Sequence, residues 1–443
     1  MALKKLHGVH VPHHKNTQDM IAVRMDCPAT VTIPMSMHIG APAKPIVKAG
    51  DLVQVGQRIA DAGGFVSSPI HASVSGKVKK IDDMLASNGR RMTTIIIEAD
   101  GQQTPYEGLQ APVIETLEDF QKAVSDSGVV GLGGAGFPTA VKLTVKDLSK
   151  IEAVVVNGAE CEPYITSDTR SMLDQGDLVI EGAKLLQKYL QVKRVIFGIE
   201  DNKPQCIAHF KELCAKENGM EVHALPAMYP QGGEKVLVFH TMGRVVPEGK
   251  LPLDAGAIVI NCTTLAAIAR YVQTGMPLVE KCVTVDGSAV KSPKNVIAPI
   301  GTAMADVFEF AGGFACEPKK VLYGGPMMGI AVPDLNQPIL KNTNAIIAMN
   351  EKDATPPPAT ACIKCGRCIN HCPLNLMPAD IETAFEKNDV EALAELKVNL
   401  CMECGCCNFI CPARRPLVQT NKLAKAKVMA YLNAKKEKEA AKA

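Results

Sequence analysis

A cysteine motif that occurs twice near the C-terminal end constrains the fold of this chain more than any other feature. The motif is C-x2-C-x2-C-x3-C-P, which begins at Cys362 and is repeated from Cys401. Three cysteines at this spacing wrap a turn of chain around one corner of a four-iron cluster, and the proline after the fourth cysteine directs that side chain elsewhere. The repeat therefore predicts two iron–sulfur clusters.

The same motif occurs in bacterial two-cluster ferredoxins, in which the fourth cysteine of each run binds the cluster of the other run. By this rule the ligands of the first [4Fe-4S] cluster are Cys362, Cys365, Cys368 and Cys411. Those of the second are Cys401, Cys404, Cys407 and Cys372. Cys406, between two ligands, is expected to be a bystander thiol, with replacement of Cys407 as the alternative.

Structural zinc sites or disulfides are the other interpretations of these cysteines. Zinc sites prefer two C-x2-C pairs with a longer spacer, and rarely use a third cysteine or a trailing proline. Disulfides need an oxidising compartment, for which the sequence has no signal peptide. The cysteines outside the motif are scattered, as reduced thiols of a cytoplasm are: Cys27, Cys161, Cys206, Cys214, Cys262, Cys282, Cys316 and Cys406.

Length and composition limit the kind of protein that the chain forms. At 443 residues, it is expected to form about three domains. Its net charge of +2 and lack of tryptophan argue against a nucleic-acid partner, which needs a basic field or a stacking surface. No apolar run is long enough to cross a bilayer, so we expect a soluble or peripheral intracellular protein.

Residues 1–36 have an irregular composition that includes four histidines, His7, His10, His13 and His14. A metal site is one interpretation, but no acidic or cysteine partner completes a ligand set. We favour a solvent-exposed segment that packs across another domain.

Residues 37–100 consist of short apolar stretches separated by glycine turns, a pattern typical of a small all-β unit. The region resembles the biotinyl/lipoyl type of barrel-sandwich domain, which carries a cofactor on a lysine at a hairpin tip. The matching stretch, Ala62–Ser68, has no lysine. A structural or docking role is therefore expected for it.

Residues 115–270 have the alternation of a largely parallel α/β sheet. Helices are predicted over 116–126, 138–149, 177–190 and 203–217, and strands over 153–157, 194–198 and 257–261. Ligands of such sheets bind beyond the carboxyl ends of the strands. Polar residues follow these ends, at Asn157, Glu200 and Asn261.

A glycine-rich loop, Gly131–Gly136, precedes the second of these helices. Its backbone amides can close on a phosphate, and Pro138 starts a helix whose positive end favours an anion. Lys142 can add charge to the phosphate side. As a bare G-x-G-x-x-G the signal is weak, and a dinucleotide site of the Rossmann type would need a longer preceding strand.

The full string from Gly131 to Lys142 resembles the flavin loop of the NADH-oxidising flavoprotein subunit of respiratory complex I. Three further strings match that family in order, beginning at Asn157, Gly232 and Asn261. The resemblance implies FMN contacts from Gly131, Gly133, Gly134, Gly136, Lys142, Asn157, Glu160, Gly232, Gly233, Asn261 and Thr264. It implies that Phe137, Glu162 and Glu234 face the nicotinamide of NAD(H). Leu132 and Ala159 stand where the family has an arginine and an aspartate.

The remaining regions complete a multidomain α/β plus α+β protein. Residues 280–316 predict a compact β-grasp (SLBB-like) insert, and residues 317–358 predict return strands and a proline-rich linker. The cysteine region, 359–420, includes two helices at 378–385 and 389–398, with Asp389 as the N-cap. Residues 421–443 are expected to form a lysine-rich helical tail.

The order of these modules resembles that of the RnfC family, which belongs to the Rnf electron-transport complexes. The resemblance implies a peripheral subunit on the cytoplasmic side of the bacterial membrane, which passes electrons between NAD(H), FMN and two [4Fe-4S] clusters. No side chain need act as an acid or base, because the cofactors transfer the hydride. The implied partners are other subunits of an ion-pumping ferredoxin:NAD+ oxidoreductase, including an iron–sulfur subunit that receives electrons from ferredoxin.

Two alternatives stay open from the sequence. One is a soluble flavin/iron–sulfur reductase of the cobalamin-reductase type, which the order of modules disfavours. The other is an electron-carrying scaffold that has lost nicotinamide binding. The direction of electron flow and the coupling ion, Na+ or H+, do not follow from the residues.

Overall fold

The structure, a computed structural model that describes residues 7–87 and 89–440, contains two β units, a parallel α/β unit and a helical unit. This architecture confirms the predicted combination of folds. A short strand, β1 (Val23–Arg24), comes first and joins the sheet of the second β unit.

The first β unit is a sandwich of two antiparallel sheets, ordered β2-β8-β7-β4 and β3-β5-β6. Alternate side chains of the strands point inward, so that Val31, Ile33, Ile95 and Ile97 form a core with Ile59 from the other sheet. The strands are β2 (Thr30–Pro34), β3 (Lys44–Pro45), β4 (Leu52–Val53), β5 (Arg58–Asp61), β6 (Ile70–His71), β7 (Gly76–Leu85) and β8 (Arg91–Ala99).

The loop between β5 and β6, which has no lysine, packs against the α/β unit. Ser68 Oγ donates a hydrogen bond of 3.1 Å to the backbone oxygen of Gly128. The buried Lys341 ammonium donates to the same oxygen and to that of Pro69, both at 2.7 Å. The contact joins three units of the fold at one point.

The α/β unit is a four-stranded parallel sheet in the order β11-β10-β9-β12, with helices on both faces. Strands covered on both faces are apolar throughout, as Val154, Val155 and Val156 of the central strand are. The strands are β9 (Ala153–Gly158), β10 (Arg194–Glu200), β11 (Met220–Leu225) and β12 (Ala257–Asn261). The helices are α1 (Leu117–Asp126), α2 (Thr139–Leu143), α3 (Ser167–Asp174), α4 (Gly176–Tyr189), α5 (Pro204–Cys214), α6 (Glu234–Met242) and α7 (Cys262–Thr274).

Most of the predicted elements of this unit are confirmed, but the helix predicted over 138–149 is wrong. It ends at Leu143, before the β-branched pair Thr144 and Val145. The side chain of Asp147 then accepts a hydrogen bond from the Ser149 amide and starts a separate 3-10 helix. Four further elements, α3, α6, α7 and β11, were not predicted from the sequence.

The second β unit is a six-stranded mixed sheet in the order β1-β14-β13-β17-β15-β16, packed on helix α8. Both of the regions that the sequence suggested here, residues 280–316 and 317–358, contribute strands to this one sheet. Strand β1 from the N-terminal region extends it. The strands are β13 (Glu280–Asp286), β14 (Lys294–Pro299), β15 (Lys320–Tyr323), β16 (Ile330–Ala331) and β17 (Ala345–Met349). The helices are α8 (Met304–Phe310) and α9 (Glu351–Ala354).

The helical unit confirms the two helices predicted between the cysteine runs. Asp389 is the N-cap of the second helix, and its Oδ1 accepts a hydrogen bond of 3.0 Å from the Ala392 amide. Ile381, Leu393 and Val428 contribute to a small core beside the cysteines. The helices are α10 (Arg367–Asn370), α11 (Pro378–Glu386), α12 (Val390–Glu395), α13 (Cys406–Ile410) and α14 (Leu417–Ala440).

Within the described part of the chain, no helix has the length and apolar character needed to span a membrane.

The packing of α4 on α7 gives a test of the core. A Cβ atom added at Gly182 would lie 2.3 Å from the backbone oxygen of Leu265. Overpacking against backbone costs about 3 kcal/mol, which exceeds the gain of about 1 kcal/mol that alanine has over glycine in a helix. We expect Gly182→Ala to lower the free energy of unfolding by about 2 kcal/mol in denaturant titrations. The exposed Lys188→Ala on the same helix removes a contact with the Tyr189 side chain and should change it by less than about 1 kcal/mol, and an equal effect of both variants would contradict the argument.

Candidate functional site

The glycine-rich loop forms a closed turn at the edge of the parallel sheet. The Gly131 amide donates to the Phe137 oxygen at 2.8 Å, and Val130 and Pro138 form a β-bridge. The Leu132 amide donates to Thr264 Oγ1 at 3.0 Å, which ties the loop to the start of α7. The loop is thus fixed before any ligand binds.

The tip of this loop presents bare backbone. Gly133 and Gly134 are exposed, and a Cβ atom at Gly134 would have nothing within 4 Å. At Gly133 it would lie 2.4 Å from Asn261 Nδ2, so any other residue there would displace the Asn261 side chain. Gly136 has a φ of +70°, which also favours glycine. Such an open peptide surface fits the close approach of a phosphate-bearing ligand.

The carboxyl ends of two neighbouring strands bring the predicted residues together. Asn157 and Asn261 are register partners at the ends of β9 and β12. Asn157 Nδ2 donates to the Gly232 oxygen at 2.9 Å, and Asn261 Oδ1 accepts from the Thr264 amide at 3.2 Å. Loops that are far apart in sequence therefore converge at one sheet edge, as expected for a ligand site of a parallel sheet.

Lys142 and Glu234, predicted on the phosphate and nicotinamide sides, form an ion pair with Nζ and Oε1 2.6 Å apart. Lys142 also donates to the Val259 oxygen at 3.0 Å. Both side chains are partly exposed, and such pairs contribute only about 0–1 kcal/mol. An anionic ligand can therefore exchange for Glu234 at little cost.

Glu160 differs from the other predicted contacts because its carboxylate turns to the start of helix α3. It accepts hydrogen bonds from the amides of Asp168 at 2.6 Å and Thr169 at 3.2 Å, and from the Thr169 hydroxyl at 2.5 Å. An acidic group is stabilised at a helix N-terminus. Burial nevertheless raises the pKa of Glu160. The carboxylate of Glu160 is therefore paired with the N-terminus of helix α3.

Glu162 contacts the second β unit. Its carboxylate accepts hydrogen bonds from the amides of Met327 at 3.0 Å and Met328 at 2.7 Å. A Cβ atom at Gly325 would lie 2.3 Å from Glu162 Oε2, so the covering loop needs glycine there. Burial raises the pKa of Glu162 to about 7. Phe137, the third residue predicted to face the nicotinamide, is half-buried.

Two lysines that the sequence analysis did not single out hold the loop after β9. Lys203 Nζ donates to the Ala159 oxygen at 2.6 Å. Lys15 Nζ donates to the oxygens of Glu160, Glu162 and Ile165 at 2.7, 2.9 and 2.6 Å. Because both lysines bind backbone oxygens from distant positions, no motif or periodicity could reveal them.

The second cysteine run and the last cysteine of the first run line one cavity. Its walls include Pro373, Leu376, Met402 and Val418, which are apolar. Backbone amides donate to two of the sulfurs, from Leu376 to Cys372 at 3.3 Å and from Glu403 to Cys401 at 3.4 Å. Five cysteines line the cavity, the four predicted ligands and Cys406: Cys372, Cys401, Cys404, Cys406 and Cys407.

The cysteines of the first run are less buried. Cys362 and Cys365 are exposed, whereas Cys368 is buried and packs in one cluster with Cys411. The Lys364 amide donates to Cys362 Sγ at 3.4 Å. Among the described residues, no three His, Cys, Asp or Glu side chains could hold a single metal ion. Ligands of a four-iron cluster surround it instead of converging on one point.

The two runs share a backbone conformation that fits a cluster. Lys364 and Glu403 occupy the same motif position and have φ values of +54° and +61°. Gly366 and Gly405, two residues later, have φ values of +71° and +80°. Left-handed residues within such turns direct backbone amides toward a common centre, which suits the anionic sulfurs of a cluster. The apolar cavity, the cysteine thiols that line it and the backbone amides near their sulfurs together fit a [4Fe-4S] cluster at the second run.

The second run packs directly against the loop after β11. Tyr229 Oη donates to the Cys404 oxygen at 2.7 Å, and Cys406 Sγ lies 3.8 Å from the Tyr229 oxygen. A Cβ atom at Gly233 would be 2.5 Å from the methyl group of Met402. The cysteine cavity and the glycine-loop site are therefore joined by one continuous set of contacts.

Three family models match successive regions of the chain. The RnfC barrel-sandwich hybrid domain matches residues 4–102, the Nuo51 FMN-binding domain matches 124–270, and the SLBB domain matches 282–331. These matches cover the first β unit, most of the α/β unit and most of the second β unit.

Three curated relatives match this chain along most of their length. The chain is 40% identical over 429 residues to the subunit designated C of a Na+-translocating ferredoxin:NAD+ oxidoreductase complex from Acetobacterium woodii, and the match covers 96% of each protein. It is 41% identical over 366 residues to the corresponding subunit of a proton-translocating complex of the same activity from Clostridium ljungdahlii, covering 82% of this chain and 79% of the relative. The corresponding subunit of an ion-translocating oxidoreductase complex from Rhodobacter capsulatus is 37% identical over 427 residues, covering 95% and 82%.

A solved structure shares the fold. A chain of an NAD+-reducing [NiFe]-hydrogenase superposes with a TM-score of 0.50 at 20% identity, and the match covers 70% of this chain and 63% of that one.

The contact between the glycine loop and Asn261 predicts unequal effects of two neighbouring substitutions. Gly133→Ala should displace Asn261 from its capping position on α7, because the new Cβ atom would lie 2.4 Å from Nδ2. Loss of a cap costs about 1 kcal/mol, so the melting temperature of the ligand-free protein should fall. Gly134→Ala is the matched control and should leave it unchanged. Equal melting temperatures for the two variants would show that the loop is not held by Asn261.

Proposed function

Because this chain belongs to the RnfC family, whose members are subunits of ion-translocating ferredoxin:NAD+ oxidoreductase complexes, we propose that it passes electrons between NAD(H), FMN and two [4Fe-4S] clusters. The observation that carries the proposal is that the loops with the flavin-type strings meet at one sheet edge. The chain that contains them is 40% identical to a family member over 96% of its length. The names of the relatives favour this function over a cobalamin-reductase type.

The residues at the sheet edge would hold FMN. The exposed glycine loop would bind the phosphate together with Lys142, whose ion pair with Glu234 is weak. Asn157 and Asn261 would form the border of the site at the strand ends. Thr264 keeps the loop in place. The remaining proposed contacts are Gly131, Gly133, Gly134, Gly136, Gly232 and Gly233, with Glu160 acting through the loop that it anchors.

FMN, when bound, accepts an electron pair as hydride and releases the electrons singly, as iron–sulfur clusters require. The chain's own task is to place the nicotinamide, with Phe137, Glu162 and Glu234 on that side of the site. Glu162 is held by two amides, and this fixes its direction before the nucleotide arrives. No side chain has to accept or donate a proton in the hydride step.

The two cysteine sets would hold the clusters, with the second-run site next to the flavin site. Tyr229 and Met402 fill the space between that site and the Gly232 loop. Exposed Cys362 and Cys365 put the first-run site at the surface. Electrons would therefore cross between the flavin site and the surface by way of the second-run site.

The partners would be the other subunits of a membrane-embedded complex, including an iron–sulfur subunit that receives electrons from ferredoxin. The names of the relatives, which describe a complex that moves Na+ or protons, support this assignment. The chain would bind that complex as a peripheral subunit on the cytoplasmic side.

An anaerobic experiment on the isolated, reconstituted chain tests the function. We expect about one FMN and about eight iron atoms per chain, and NADH should bleach the visible absorption of the flavin. Glu234→Gln should still bind FMN, because Lys142 keeps the Val259 contact. Absence of flavin would refute the proposal, and bound flavin that only dithionite reduces would favour the non-catalytic scaffold.

The exchange of the fourth cysteines is testable by one pair of variants. Cys372→Ser should destroy the second-run cluster and leave the first, since Cys372 lines the second-run cavity. Iron content should fall by about half, and the electron paramagnetic resonance signal that remains should differ from that left in Cys411→Ser. Cys316→Ser, an exposed thiol outside the motif, is the control. If the two variants lose the same signal, the ligand sets are wrong.

A further inference from the structure

Lys15 lies on the N-terminal segment and holds the loop that carries Glu162. Its ammonium donates to the backbone oxygens of Glu160, Glu162 and Ile165 at 2.7, 2.9 and 2.6 Å. An ammonium has three N–H donors. All three are therefore accounted for within one six-residue stretch, Glu160–Ile165, which we call the tethered loop.

The tethered loop has a backbone that needs such support. Glu160 and Tyr164 have φ values of +49° and +69°. Left-handed conformations cost non-glycine residues about 1 kcal/mol or more each. The loop also turns three carbonyl oxygens toward one point, where they repel each other unless a cation lies between them. The Lys15 ammonium supplies that charge.

The position of Lys15 is fixed by its neighbours along the segment. Val9 and Tyr229 exchange two backbone hydrogen bonds, of 2.8 and 3.0 Å. The Tyr164 amide donates to the His13 oxygen at 2.9 Å, and the ring of His14 stacks on that of Tyr164 at 4.8 Å. The segment thus pairs with the tethered loop on one side of Lys15 and with the Tyr229 loop further along.

Contacts on the other side of Lys15 complete the anchoring. The hydroxyl oxygens of Thr17 and Thr166 are 2.5 Å apart, and Asn295 Nδ2 donates to the Thr17 oxygen at 3.0 Å. A substitution that removes only the ammonium therefore leaves the path of the segment intact. The glycine loop receives no hydrogen bond from Lys15 among the described residues.

We propose that Lys15 is a positioning residue for nicotinamide binding. Lys15 fixes the tethered loop and, with it, the direction of the Glu162 side chain. The inference rests on the proposed function. Without the ammonium, the three oxygens separate, and Glu162 leaves the amides of Met327 and Met328. NADH then binds more weakly, whereas FMN, held by the glycine loop and the strand ends, stays bound.

The test is Lys15→Met in the full chain, reconstituted anaerobically and assayed for NADH oxidation with ferricyanide. Hydrogen bonds to a charged group contribute about 1.5–3 kcal/mol, so the KM for NADH should rise ~10-fold or more. The kcat, the FMN content and the iron content should stay within about twofold, a factor worth less than 0.5 kcal/mol. Lys48→Met, an exposed lysine of the first β unit, is the matched control and should behave as wild type.

The measured KM and FMN content distinguish the proposal from its alternatives. An unchanged KM for NADH in Lys15→Met overturns the proposal, and so does a loss of FMN in proportion to activity, which would mean a general structural role. If Lys15→Met does not fold, Lys15→Arg decides. Its planar guanidinium keeps the charge but cannot meet three converging oxygens equally, so an elevated KM supports the proposal and a wild-type KM refutes it. A wild-type protein that NADH cannot reduce would refute the proposed function instead.

Discussion

A buried set of hydrogen bonds between the α/β unit and the second β unit determines how the rest of the molecule is arranged. Thr166 donates its amide to Thr284 Oγ1 and its hydroxyl to Asn295 Oδ1, both at 3.0 Å, and Thr284 Oγ1 donates to the same Asn295 oxygen at 2.8 Å. These groups are buried, so each unpaired atom would cost about 1–3 kcal/mol. The two units therefore meet in one register, and that register brings Met327 and Met328 over Glu162.

The glycine-loop edge and the cysteine unit depend on the same arrangement. The loop that covers Glu162 also lies against Gly405, so one short segment contacts both sites. The first β unit supports the opposite side, where the Ile39 amide donates to the Gly136 oxygen at 3.1 Å. Each unit thus contributes backbone to the surroundings of the sheet edge. The site is a property of the assembled chain and of no single unit.

What could be predicted from the sequence is local in origin. The cysteine spacing, the apolar strands β9, β10 and β12 and the Asp389 cap depend on residues close together in the chain, and the structure confirms the strands and the cap. The flavin-type strings could be found because each is a short run of letters. The capping role of Glu160 and the tethers from Lys15 and Lys203 could not, because they depend on contacts between distant segments. The helix predicted over 138–149 failed for a local reason instead, since apolar periodicity does not show that Asp147 starts a separate 3-10 helix.

The left-handed glycines of the two cysteine runs show how an internal repeat loses its symmetry. Gly366 and Gly405 hold the same place in the motif and have nearly the same φ. A Cβ atom at Gly366 would meet nothing within 4 Å, whereas at Gly405 it would lie 3.0 Å from the Met327 oxygen. Backbone strain restricts both positions, but the neighbouring unit adds a second restriction to only one. At this motif position, the half of the repeat that faces the rest of the molecule therefore tolerates fewer substitutions than the half at the surface.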